Sequence, residues 1–167
     1  YYMGMRSAVF DQWLSEKMGN EEDALVLHLG CGLDSRVCRV GTKGHFWYDV
    51  DFPEVIEERK KYFAISDEYH MIGSDIRDTN WTLKLPKEKT PIIVMEGVSM
   101  YLSLEELKKV LADIHKYFGE LYLLMDCYTI LAAKLSKYKN PINDVGVTIV
   151  YGIDDPKKMI DLKALMG

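Results

Sequence analysis

Stretches of helical hydrophobic spacing alternate along this chain with short continuous apolar runs. From Met3 to Met18 the apolar residues Met5, Val9, Trp13, Leu14 and Met18 recur at near-helical spacing, which predicts a leading helix stopped by Gly19-Asn20. Ala24 to Leu29 is an apolar run that ends in glycines, the pattern of a strand buried on both faces. His45 to Val50, rich in aromatics, forms a second strand candidate. Pro53 suits a first helical position, and Glu54 to Phe63 continues from it as a helix with acid in its first turn. Tyr69 to Gly73 reads as a third strand. Pro91 to Met95 reads as a fourth, with Ile92, Ile93 and Val94 all β-branched. Ser103-Leu-Glu-Glu106 is a capping box for a helix with one apolar face: Leu104, Leu107, Val110, Leu111, Ile114 and Phe118. Gly119 ends that helix, and Leu121 to Met125 makes a fifth strand.

Strands that alternate with helices in this way predict an α/β fold with a mostly parallel sheet covered on both faces. Past Asp126 the pattern loosens: Tyr128 to Tyr138 fits a helix, Pro141 to Asp144 a turn, and Val147 to Tyr151 a strand. No repeat, low-complexity stretch or linker interrupts the chain, so the expectation is a single domain over 1–167. Within it we distinguish an N-terminal helix (1–20), a core (24–126) and a further region (127–167).

Composition narrows the class. The 167 residues are 48% hydrophobic and 28% charged, an ordinary globular balance. The net charge of −5 argues against a nucleic-acid partner, which needs a basic face to displace counterions from phosphates. No apolar run approaches the ~20 residues of a membrane span. No signal peptide is visible, and the start at Tyr1 rather than Met leaves an upstream beginning open. Three cysteines without a C-x-x-C pair fit a reducing cytoplasm rather than a disulfide framework. The four histidines have no zinc-site spacing.

Candidate chemistry collects at the ends of the predicted strands. Gly30-Cys-Gly-Leu-Asp-Ser35 follows the first strand, and its glycines permit a tight turn with close backbone approach to a ligand. Ser35 stands where the dinucleotide fingerprint has its third glycine. Asp51 lies 21 residues after Gly30, at the end of the second strand, where a carboxylate accepts from vicinal ribose hydroxyls. Asp49 competes for that role from the same strand face, the alternative for it being a solvated strand-end charge. Asp75 follows the third strand and suits the exocyclic amine of adenine, with Ile76 near the ring. Asp78 reads as a turn or helix cap and Trp81 as core. Glu96 ends the fourth strand and is expected to face the cofactor, attracting its cationic portion. Asp126 ends the fifth strand at the same sheet edge, with its role open. His28 and His115 read as structural, so no general base stands out.

Several stretches together resemble the leucine carboxyl methyltransferase family, in particular its bacterial polyketide-type O-methyltransferase branch. They are Met5-Arg-Ser with Phe10-Asp11, Leu29 to Arg36, Asp49-Val-Asp-Phe-Pro-Glu-Val55, Ser74 to Asp78 with Trp81, and Glu96-Gly-Val-Ser-Met-Tyr-Leu102. The resemblance implies a Rossmann-like fold, S-adenosylmethionine as cofactor and a small-molecule methyl acceptor. It implies that Arg6 binds the methionine carboxylate of the cofactor, with Gly30, Cys31 and Gly32 at the turn. It places Asp51 and Phe52 at the ribose, Asp75 and Ile76 at the adenine, and Glu96 and Gly97 near the methionine end. Tyr101 would line the entrance for the acceptor. Family members carry two further strands, so the chain reads as truncated at its C-terminal end. Two other readings stay open at this point: a cofactor-binding module without catalysis, and a nicotinamide-dependent oxidoreductase on the same kind of sheet.

Overall fold

A computed structural model describes residues 2–127 of the chain, and the side chains from residue 4 onward. The expectations for Tyr128 to Tyr138, Pro141 to Asp144 and Val147 to Tyr151 lie outside the described residues. The described elements run α1 (Tyr2–Asn20), β1 (Ala24–Leu29), α2 (Arg36–Val40), β2 (Phe46–Asp51), α3 (Pro53–Arg59), β3 (Tyr69–Gly73), β4 (Thr90–Met95), α4 (Leu104–Phe118) and β5 (Tyr122–Met125). Two 3-10 segments, Thr79–Lys84 and Ser99–Tyr101, precede β4 and α4 respectively.

The five strands form one sheet in the order β3-β2-β1-β4-β5, and every pairing is parallel. β1 lies at the centre and is buried along its whole length. Alternation along a strand sends successive side chains to opposite faces. Leu25, Leu27 and Leu29 therefore join Ile93, Met95 and the α4 residues Leu107, Val110, Leu111 and Ile114 on one side. Ala24, Val26, Ile92, Val94 and Trp47 meet Phe10, Leu14 and Met18 of α1 on the other. The doubly covered parallel sheet is the predicted α/β fold, and its strand order is that of a Rossmann-like half.

Several details differ from the hydrophobic pattern. In α1 the core stripe is Phe10, Leu14 and Met18, spaced by four, whereas Met5 and Val9 point outward at 58% and 64% exposure. The helix of α3 stops at Arg59 rather than Phe63, because the amides of Lys61 and Tyr62 bond three residues back and tighten the chain into a turn. Asp78 does cap the following 3-10 segment, accepting from the Asn80 amide, and Trp81 is buried as expected. The capping box of α4 is complete: the Ser103 hydroxyl accepts from the Glu106 amide at 3.1 Å, and Glu106 accepts from the Ser103 amide at 2.8 Å.

Ser103→Ala removes one half of that box and should cost about 1 kcal/mol. Leu27→Ala opens a cavity in the central strand and should cost about 2–5 kcal/mol. Urea denaturation of the two variants checks both values and their order.

Candidate functional site

The carboxyl ends of β1 to β4 surround one cleft of about 340 Å³. Its lining is Gly30, Asp51, Phe52, Ser74, Asp75, Ile76, Arg77, Gly97, Val98, Tyr101 and Leu102. The position follows from topology. After β1 the chain crosses to β2, and after β4 it crosses to β5 on the other side, so the loops diverge and leave a crevice between neighbouring strand ends.

The turn after β1 is shaped by backbone conformation and by Val98. Gly30 has φ +67°, and a Cβ there would lie 2.4 Å from Val98 Cγ2. Its amide donates to the Val50 carbonyl at 2.8 Å, tying the turn to β2. Gly32 has φ +52°, and its amide donates to Asp51 Oδ2 at 2.8 Å. The Phe52 amide donates to Asp51 Oδ1, also at 2.8 Å. Each Asp51 oxygen has thus used one lone pair on the protein and keeps another for a ligand. Across the cleft Asp75 is gripped by Arg77, whose Nη2 lies 2.6 Å from Oδ2 and whose amide donates to Oδ1 at 2.9 Å. That side-chain hydrogen bond holds the Asp75 carboxyl below the usual range. Arg77 also reaches Glu106 at 3.3 Å, linking the cleft to the first turn of α4.

Two clusters of charge stand behind these residues. In the first, Glu96 accepts from Arg6 Nε at 2.7 Å, from the Ser7 hydroxyl, and from Nη2 of the fully buried Arg36. Arg36 Nε donates to Asp11 Oδ1 at 2.7 Å, and Arg6 Nη1 lies 2.8 Å from Asp126 Oδ2. Asp126 Oδ1 in turn accepts from the Gly97 amide at 2.8 Å. Burial raises the Glu96 carboxyl, but Arg36 and Arg6 outweigh it and leave the group below its ordinary range. In the second cluster Asp49 and Arg59, both fully buried, pair at 2.6 Å. Asp49 also accepts from Trp47 Nε1 at 2.8 Å and from the Tyr69 hydroxyl at 2.5 Å. Burial raises the Asp49 carboxyl; His28, Arg59 and Tyr69 outweigh it. His28 joins the clusters, with Nε2 3.2 Å from Arg36 Nη1 and Nδ1 3.3 Å from Asp49 Oδ1. A guanidinium only donates, so Nε2 accepts and the ring proton sits on Nδ1, facing Asp49.

Of the residues singled out in the sequence, Gly30, Asp51, Phe52, Asp75, Ile76, Gly97 and Tyr101 come together at the cleft. Gly32 does not line it but holds Asp51. Cys31 is buried in the turn, and burial pushes its thiol far up, away from the thiolate form. Two expectations differ in the structure, and Arg6 stands behind the cleft. Glu96 does not line the cleft; it turns to α1 and α2, where the guanidiniums of Arg6 and Arg36 neutralise it. Asp49 is neither solvated nor a ribose candidate, being sealed beneath α3 by Arg59. Arg6 is engaged by Glu96 and Asp126, with Nη2 3.9 Å from where a Gly97 Cβ would be. Arg36, Arg59 and Asp11 carry these clusters and were not anticipated; acids and bases far apart in sequence give no pairing signal. Among the described residues no cluster of His, Cys, Asp or Glu could hold a metal ion. No described helix is long and apolar enough to cross a membrane.

The sheet order, the glycine turn and the acid at the end of β2 define a Rossmann-like α/β protein with a cleft of the nucleotide-cofactor kind. Solved structures agree on the fold. Magnesium protoporphyrin IX methyltransferase from Synechocystis PCC 6803, determined with bound S-adenosylhomocysteine, matches 98% of this chain and 72% of its own at TM-score 0.60 and 14% identity. An O-methyltransferase family protein from Burkholderia thailandensis matches 96% of this chain and 50% of its own at TM-score 0.63 and 12% identity. The model of the leucine carboxyl methyltransferase family matches residues 1–115, and the chain belongs to that family. Among curated relatives, the tetracenomycin polyketide synthesis O-methyltransferase TcmP of Streptomyces glaucescens is 30% identical over 155 residues, 92% of this chain and 57% of its own length. The S-adenosyl-L-methionine-dependent methyltransferase dpfgK of Gibberella zeae is 27% identical over 84% of this chain and 52% of its own. The chain spans about half the length of these relatives. The family is one of S-adenosylmethionine-dependent methyltransferases, and the oxidoreductase reading falls away.

The charge clusters make stability depend on acid in a definite direction. Asp11, Asp49 and Glu96 are all held below their ordinary values of 3.8, 3.8 and 4.5, so each binds its proton more weakly folded than unfolded. Their contribution is complete above those values and is lost as pH falls through the folded ones. The melting temperature should be level between pH 7 and about 5 and drop steeply below about 4. Glu96→Gln leaves two guanidiniums under-compensated and should cost about 3 kcal/mol at pH 7, with a shallower acid limb. Thermal melts across pH for both proteins check this.

Proposed function

We propose that this chain binds S-adenosylmethionine in the cleft and serves O-methyl transfer to a carboxylate or hydroxyl of a small molecule. The observation that carries the reading is the Asp51 carboxylate, fastened by the Gly32 and Phe52 amides with acceptor capacity to spare at the cleft. That geometry fits two vicinal ribose hydroxyls. Asp75 with Ile76 suits the amine and face of adenine, and Arg6, held by Glu96 and Asp126 beside Gly97, suits the carboxylate of the methionine end. When bound, the cofactor supplies an electrophilic methyl group on a sulfonium.

This chain's own residues contribute binding and alignment. Val98, Tyr101 and Leu102 wall the cleft beside Gly97, limit water and border the side from which an acceptor oxygen would approach. No histidine, cysteine or lysine is among the described residues lining the cleft. An ionised carboxylate needs no base, and holding donor and acceptor in line supplies several kcal/mol of the barrier. The name of the Streptomyces relative supports a polyketide-like acceptor.

Calorimetry of the chain with S-adenosylhomocysteine should give a dissociation constant in the micromolar range, and Asp51→Asn should weaken it about tenfold, roughly 1.4 kcal/mol. Absence of binding by the wild type would sink the reading. Incubation with labelled S-adenosylmethionine, a panel of phenols and carboxylic acids, and cell extract should transfer label to oxygen; binding without transfer to any of these would instead favour a non-catalytic module.

A further inference from the structure

The buried ion pair Asp49–Arg59 takes no part in the chemistry just described, yet one arm of it ends at the glycine turn. We propose that Arg59, clamped by Asp49, is a positioning residue for the cofactor. It fixes the Gly32 carbonyl and, through that residue, the orientation of Asp51. The proposal rests on the cofactor reading above.

Arg59 is fully buried on α3. Its Nε donates to Asp49 Oδ2 at 2.8 Å and lies 3.2 Å from the Tyr69 hydroxyl, while Nη2 sits 2.6 Å from the same carboxylate oxygen. The Phe63 ring lies 4.3 Å from the guanidinium carbon. Held on these sides, the planar fork sends Nη1 in one direction, to the Gly32 carbonyl at 3.1 Å. Gly32 is therefore fastened at both polar groups, its carbonyl by Arg59 and its amide by Asp51. The space beside Gly32 is open, and a Cβ there would meet nothing within 4 Å. The two hydrogen bonds hold the residue at φ +52°.

Energetics point the same way. Burying two charges costs several kcal/mol each, and an apolar pair of equal volume often serves stability as well or better. An apolar pair cannot donate to a carbonyl. Lysine cannot replace the fork either, since a single ammonium must choose between Asp49 and Gly32.

The test is a double-mutant cycle on the full chain, read by calorimetry with S-adenosylhomocysteine and by thermal melting. Arg59→Lys keeps the buried charge pair, and the joint swap Asp49→Leu with Arg59→Met removes it without stranding a charge. Each should retain a cooperative melt and bind about tenfold more weakly than wild type. In the Asp51→Asn background neither change should weaken binding further, because the route from Arg59 to the ligand is already cut. Wild-type affinity in both variants would overturn the proposal, as would a loss that persists undiminished beside Asp51→Asn, the mark of a purely structural role. Independently of any variant, the Gly32 amide should exchange slowly in the ligand-free wild type. Fast exchange that slows only on adding ligand would overturn the preset turn. A wild type that ignores S-adenosylhomocysteine overturns the cofactor reading together with the proposal, whereas binding with unaffected variants overturns the proposal alone.

Discussion

β1 has no solvent-facing side: six consecutive residues are buried, with β2 and β4 hydrogen-bonded to its two edges. A strand in that position must be apolar on both faces and must pass its chain out at the sheet edge. Everything that follows at the site depends on this. The exit after Leu29 can only be the tight turn at Gly30, where Val98 fills the space a side chain would need. Because β4 is the neighbour on one flank and β2 on the other, the ends of three strands supply Gly30, Asp51 and Gly97 to one crevice.

The one polar side chain of β1, His28, shows how the sheet accommodates charge. It projects to the α1 side, where a lone polar ring would be costly, and is met by Arg36 and Asp49. From these two residues the charged clusters extend, one to Glu96, Arg6 and Asp126, the other to Arg59 and Tyr69. Each links a helix to a strand end and finishes at the cleft or just behind it, at Gly97 in the first case and at Gly32, which holds Asp51, in the second. Carboxylates that read singly as ligand contacts thus act in part as supports. Asp51 differs because its protein partners are two backbone amides, which orient the group without neutralising it.

The cleft residues all fall between Gly30 and Leu102, inside the stretch matched by the leucine carboxyl methyltransferase family. The matched portion covers 57% and 52% of the length of the two curated relatives. Tyr101, Leu102 and Phe52 line the same cleft as Asp51 and Asp75.

Much of this was legible before any coordinates. The continuous apolar runs and the period-3.6 stretches located the five described strands and three of the four described α-helices, because burial on a parallel sheet leaves a one-dimensional trace in residue type. The Ser103–Glu106 box and the Asp78 cap were legible for the same reason: their partners lie within three residues. Gly30, Asp51 and Asp75 were placed by the rule that ligand groups gather at strand ends. Arg36 meeting Glu96, Arg59 meeting Asp49 and then Gly32, and the outward turn of Met5 and Val9 were not. Those are settled by which helix covers which face, and a side chain's charge partner 60 residues away leaves no local signal. The sequence by itself determined the strands, the turn and the acids at their ends; only the tertiary structure decided which of those acids face the cleft and which are spent holding it in shape.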